Sequence, residues 1–131
     1  MPEIQGVSHV ALTVSNLASS AAWYEKLFVG AARIMEGQDG GISYIVYLLP
    51  SGLVFGLRQF DAADAGDRFT ETRVGLDHLS FAAADREALQ EWEAYLDTLG
   101  AQHSPIQDVP YGHVLVFRDP DNIQLEFFAL P

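Results

Sequence analysis

His9-Val10-Ala11-Leu12-Thr13-Val14 opens with a histidine and alternates between two faces, as a half-buried strand does. The stretch has an echo. His78-Leu79-Ser80-Phe81-Ala82-Ala83 begins the same way, at an offset of 78 − 9 = 69 residues. Asn16 and Asp85, Trp23 and Trp92, and Leu27 and Leu96 share that offset. Gly30-Ala31 and Gly100-Ala101 match at 70, as do Pro50 and Pro120. A repeat of this length is a whole supersecondary unit, not one turn of a solenoid. It places two histidines at equivalent points of two equivalent halves, which is how a site forms on a pseudo-twofold axis.

The neighbouring segments repeat in the same order. Residues 7–14 read as a strand, Asn16 caps a helix running to about Phe28, and Gly30 ends it. Residues 32–36 are a short strand, followed by a turn over Gly37-Gln38-Asp39-Gly40-Gly41. Residues 42–49 and 53–60 are strands joined by Pro50-Ser51-Gly52. In the second half, residues 76–83 are a strand, and Asp85 caps a helix that Gly100 ends. Leu89, Trp92, Leu96 and Leu99 share one face of that helix. Residues 102–108 form a weak strand broken by Pro105. Residues 113–118 and 123–130 are strands joined by Asp119-Pro120-Asp121-Asn122. Each half is β-α-β-β-β. The expected class is α+β: two tandem βαβββ modules forming a cup-shaped mixed sheet with helices outside. Module A covers 4–60 and module B covers 76–131, within a single domain over 1–131. The polar stretch 61–75, with Asp61, Asp64, Asp67 and Glu71, is the linker.

Composition narrows the function. At 131 residues and 49% hydrophobic, the chain suits one folded domain without staples. With no cysteine, disulfides and thiolate metal sites are excluded. The start lacks the pattern of a signal peptide, and no apolar run reaches membrane-spanning length, so a cytoplasmic protein is expected. The net charge of −11 argues against nucleic acid and anionic membranes as partners. A highly anionic substrate would need a local basic pocket, and few arginines are available to make one.

Three residues carry the chemistry. His9 and His78 begin equivalent strands, and Glu126 sits in Ile123-Gln124-Leu125-Glu126-Phe127-Phe128. A carboxylate in so apolar a strand is paired, protonated or metal-bound, because burying it alone costs several kcal/mol. Two histidines and a carboxylate suit a divalent Fe, Mn, Co, Ni or Zn, with coordination positions left open. Strand parity puts His9 with Ala11 and Thr13, His78 with Ser80 and Ala82, and Glu126 with Gln124 and Phe128. All three thus lie on faces without dense aliphatic packing. Taken singly, a strand-end histidine is usually a surface or hydrogen-bonded residue, and a lone strand glutamate can be an edge charge.

Val7–Val14, Trp23-Tyr24-Glu25-Lys26-Leu27, Gly75–Phe81 and Val116–Phe128, with its Asp-Pro-Asp-Asn turn, together resemble the vicinal oxygen chelate superfamily. That superfamily includes glyoxalases, extradiol dioxygenases, fosfomycin-resistance transferases and bleomycin-resistance proteins. The resemblance implies two modules around a metal held by His9, His78 and Glu126. It also implies a small substrate that chelates the ion through vicinal oxygens. Position 126 − 70 = 56 is Gly56, where glyoxalase I-like members carry a second glutamate, so ordinary glyoxalase I chemistry is not expected. Gly56 instead opens room for substrate or water. Gln59 is out of phase with Gly56 and is set aside as a ligand. Arg58 shares its parity and is a candidate substrate-binding residue. His113 is a candidate acid or base, equally readable as a solvent-facing strand residue. Glu126 is a catalytic candidate as well as a ligand. His103 is expected at the surface, and Trp23 and Trp92 in packing. The function expected is a metal-dependent dioxygenase, lyase, isomerase or transferase. The alternative is a bleomycin-resistance kind of protein that sequesters a small molecule. Family members are commonly dimers, so a homodimer is expected.

Overall fold

In the computed structural model, which describes residues 1–131, each of the two echoing strands begins a four-stranded mixed sheet. Residues 1–67 form one unit and residues 68–131 another. The first unit runs β1 (His9–Thr13), α1 (Leu17–Leu27), β2 (Ala32–Asp39), β3 (Ile42–Leu48) and β4 (Val54–Phe60). The second runs β5 (Leu79–Ala82), α2 (Arg86–Leu99), β6 (Gln107–Val109), β7 (Gly112–Arg118) and β8 (Gln124–Ala129). The sheet orders are β1-β4-β3-β2 and β5-β8-β7-β6, the same arrangement twice. In each, the first and last strands pair in parallel and the other pairs are antiparallel. The α+β class and the two βαβββ modules are therefore as the repeat predicts.

Each sheet has one face under its helix. In the first unit Leu12, Phe55, Leu57, Ile45 and Tyr47 are buried on that face with Tyr24 and Leu27 of α1. Tyr24 and Phe28 meet Phe55 at ring-centroid distances of 5.1 and 5.2 Å. In the second, Leu115, Phe117, Leu125 and Phe127 are buried with Leu89 and Leu96 of α2. Trp92 stacks on Phe127 with centroids 4.1 Å apart. Burying one such side chain stabilises by about 1.5–3 kcal/mol, so these faces hold the units together. The opposite faces are the ones that carry His9, His78 and Glu126.

The connections follow from local chemistry. Asn16 Oδ1 accepts from Ser19 N at 2.9 Å, and Asp85 Oδ1 accepts from Ala88 N at 2.8 Å, so both predicted caps are made. In the Asp-Pro-Asp-Asn turn, Asp119 Oδ1 accepts from the backbone N–H of Asp121 and of Ile123, both at 2.8 Å. Asn122 then takes φ 65°, and Gly52, its counterpart in the first unit, takes φ 91°.

Several boundaries differ from the sequence reading. β2 continues through Gly37 to Asp39, and only Gly40-Gly41 turns, both at positive φ as a tight hairpin needs. Helix α1 ends on Phe28, whose N–H bonds Tyr24 O, and Gly30 lies in the bend beyond. β6 shrinks to three residues after Pro105, while His103 makes a lone bridge to Phe117. The stretch 61–75 has no strand or helix, but its second part is tied down within the second unit. Phe69 N donates to Asp121 O at 3.0 Å and Asn122 Nδ2 donates to Phe69 O at 3.1 Å. No helix is long and apolar enough to cross a membrane.

Candidate functional site

The register places the candidates on equivalent rungs. Ala11 of β1 lies opposite Gly56 of β4, and Ser80 of β5 lies opposite Glu126 of β8. His9 and His78 sit two residues before Ala11 and Ser80, hence on the same faces. Val46 and Val116 complete the two rungs from β3 and β7. The repeat therefore holds at the level of hydrogen-bonded register, with Gly56 standing where Glu126 does.

In the second unit His78 and Glu126 converge. His78 Nε2 is 3.5 Å from Glu126 Oε1, and the Glu126 side chain keeps only 14% of its exposure. Asp77 Oδ1 is 2.8 Å from His78 Nδ1. An ionised carboxylate only accepts, so Nδ1 carries the proton, and in the neutral ring Nε2 is the nitrogen left with a lone pair that an ion could take. Gln124 Nε2 in turn donates to Asp77 Oδ1 at 3.0 Å and to its carbonyl at 3.2 Å. Arg118 donates to Gln124 Oε1 at 2.9 Å and to both Glu71 carboxylate oxygens at 3.0 Å. The Asp77 hydrogen bond, assisted by the Glu126 charge and opposed by burial, raises the His78 pKa above its ordinary 6.5. The Arg118 fork lowers the Glu71 carboxyl to about 2.

A 3.5 Å donor spacing is one that a direct His–Glu pair or a shared ion would both give. Two ligand atoms each ~2.1 Å from one ion, at the tetrahedral angle, lie about 3.4 Å apart. The structure thus brings together two of the three predicted ligands. His9 belongs to the other unit, exposed, with Nδ1 3.0 Å from Ser8 Oγ. No three His, Asp or Glu side chains of the chain are gathered into a cluster able to hold an ion.

In the first unit the open face is hollow. A half-open cavity of about 260 Å³ is lined by His9, Ala11, Tyr44, Val46, Val54, Gly56 and Arg58, among others. Gly56 has no positive φ, and a Cβ built there would meet nothing closer than Ala11 Cβ at 3.5 Å, an ordinary contact. Neither backbone nor sterics require glycine here. The effect of its missing side chain is the space itself. Arg58 lies on the next rung, between Thr13 and Tyr44, with its guanidinium carbon 5.5 Å from the Phe60 ring centre.

Other candidates lie elsewhere. His113 has the parity of Leu115 and Phe117, so it faces the helix side, not Glu126. Its Nδ1 is 2.6 Å from Asp108 Oδ1, and Asp108 is held by Arg86 at 2.8 Å, which with His113 lowers its carboxyl to about 2. Gln59 Oε1 accepts from Leu17 N at 2.7 Å, capping α1, as its discounted phase predicts. His103 is half-buried rather than at the surface, between Asp97 Oδ1 at 2.6 Å and Ser104 O at 2.7 Å. Sequence reasoning missed Asp77, Gln124 and Glu71. The Asp77-His78 adjacency was the available signal for the first. Nothing local marked Glu71, which lies 47 residues from Arg118.

Residues 6–127 match the Glyoxalase/Bleomycin resistance protein/Dioxygenase superfamily, and the chain belongs to it. A glyoxylase/bleomycin resistance protein/dioxygenase domain from Frankia sp. EAN1pec is 40% identical, over 98% of this chain and 94% of its own, with TM-score 0.89. A glyoxalase family protein from Enterococcus faecalis is 22% identical over 95% and 97%, TM-score 0.78. A mutant of the fosfomycin resistance protein FosX from Listeria monocytogenes, complexed with Mn(II) and 1S,2S-dihydroxypropylphosphonic acid, is 23% identical over 98% and 93%, TM-score 0.74. At such identities the last two show a shared fold alone. No curated protein matches the chain significantly.

Proposed function

We propose that this chain is a divalent-metal-dependent enzyme acting on a small substrate that offers the ion two adjacent oxygens. His9, His78 and Glu126 are the proposed ligands. The observation that carries this reading is the 3.5 Å approach of His78 Nε2 to Glu126 Oε1, with Asp77 holding the proton on the other ring nitrogen. The Mn(II) in the FosX complex is consistent with an ion of this class. When bound, the ion supplies Lewis acidity toward a developing oxyanion. Asp77 and Gln124 orient His78. Glu126, beside the proposed ion, is also placed to exchange a proton with a substrate carbon or hydroxyl. Gly56 leaves the space in which a ligand sits.

The test is metal analysis of protein loaded in turn with Mn, Fe, Co, Ni and Zn. His78→Ala and Glu126→Gln should each lose most of the bound ion. Full occupancy in both variants overturns the ligand assignment. Part of the same proposal is a homodimer, read by light scattering. It is motivated by exposed Ile34 and Met35 on β2, an edge strand.

A second reading is a sequestering protein. The largely apolar hollow around Ala11, Val46 and Val54 favours it, since such a surface can hold a ligand without an ion. Tight ligand binding that survives both chelation and His78→Ala selects this reading over the first.

A further inference from the structure

We propose that the ligand carries a carboxylate, bound by Arg58 on the open face of the first unit. This rests on the metal reading for the chelating end only. Arg58 is distinctive among the chain's cations. Arg33 is paired with Glu25 and Glu36, Arg86 with Asp108, and Arg118 with Glu71. Arg58 lies against a ring, which supports a guanidinium without neutralising it. It is exposed, lines the hollow, and has no carboxylate beside it. In a chain of net charge −11, leaving one exposed arginine unpaired beside a cavity marks a place for an anion.

The rung geometry sets the class. His9, Gly56 and Arg58 occupy successive rungs of one face: His9 lies across from Val54, Ala11 from Gly56, and Thr13 from Arg58. Rungs are two residues, or roughly 6.6 Å, apart. A ligand over Gly56 thus has a histidine on one side and a guanidinium on the other. One guanidinium matches one carboxylate through two parallel N–H bonds. A phosphonate dianion would call for further cations, and none of the paired arginines supplies one.

The probes are catechol and 3,4-dihydroxybenzoate, which share vicinal oxygens and differ by the carboxylate. Binding is measured by calorimetry on Mn(II)-loaded and on chelator-treated full-length protein, with metal occupancy read separately on the same samples. The loaded wild type should bind 3,4-dihydroxybenzoate roughly tenfold tighter than catechol, as a charge-assisted bidentate contact gives. Arg58→Gln should erase that preference while leaving catechol affinity and metal occupancy unchanged. Arg58→Lys should restore part of it. The proposal is overturned if the carboxylate gives no advantage, if the advantage survives Arg58→Gln, or if 3,4-dihydroxybenzoate does not bind at all. An Arg58-dependent preference that persists without metal keeps the anion site and counts against the metal reading instead.

Discussion

Gly56 and Asp77 each reach beyond their own side chains, and both can be tested singly. Gly56 sits in a strand interior, where glycine ordinarily weakens the sheet, yet its surroundings accept a Cβ at ordinary contact distance. Gly56→Ala should therefore fold well and gain about 0.4–1 kcal/mol by restricting the unfolded chain. The same methyl narrows the hollow, so ligand affinity should fall while Tm rises. Thermal melts paired with ligand titration check this, and a loss of stability would show that the strand needs glycine after all. Asp77 acts through His78. Asp77→Asn replaces an acceptor-only group by an amide whose nitrogen can donate to Nδ1, which releases the tautomer. Metal affinity should drop roughly 10- to 100-fold, as for other partners of ligating histidines, with the fold intact by circular dichroism.

The elements were legible where their signals are local. Strand alternation, the Asn16 and Asp85 caps and the Asp-Pro-Asp-Asn turn are decided within four or five residues, and each forms as read. The misreadings depend on partners across the sheet. Gly37 looks like a turn residue, but in the ladder it lies opposite Tyr44, whose hydroxyl would be 3.0 Å from an added Cβ. The same holds for the site. Parity predicted the faces of His9, His78 and Glu126. His113, open in the sequence to an acid or base role or a solvent-facing one, has the parity of Leu115 and Phe117 and lies on the helix side, beside an Arg86–Asp108 pair 22 residues apart and invisible locally.

His103 was misplaced for a related reason, and its setting makes a prediction. Both ring nitrogens face acceptors, Asp97 on α2 and the Ser104 carbonyl, so the folded state favours the doubly protonated ring. The Asp97 hydrogen bond, then that of Ser104, raises its pKa above the ordinary 6.5. A raised folded-state pKa gives stability that is fully present below the unfolded pKa and is lost as pH rises through the folded one. The Tm gap between wild type and His103→Gln should thus be widest below about pH 6 and close on the alkaline side. A gap constant across that range would mean that His103 contributes packing only.

At the scale of the whole molecule, the two halves agree on strand order and on the central rung, where Gly56 stands in the first half and Glu126 in the second. They also share an excess of acid, 18 Asp and Glu against 7 Lys and Arg. With seven cations for eighteen carboxylates, most carboxylates have no cation of their own. Exposed pairs such as Arg86–Asp108 contribute little, whereas net repulsion acts over the ~10 Å that separates screened from unscreened charges at 0.1 M salt. Raising KCl from about 10 mM to about 300 mM should therefore raise Tm, against the usual direction for a fold held by surface salt bridges. A charge change isolates the cause. Glu91 is exposed on α2, one turn beyond Glu87. Glu91→Lys removes a repulsion and creates a favourable i, i+4 pair worth about 0.5 kcal/mol. Its Tm should exceed that of the wild type at low salt, and the difference should shrink as salt is added. A wild-type Tm that falls with salt would show that the local pairs outweigh the global field.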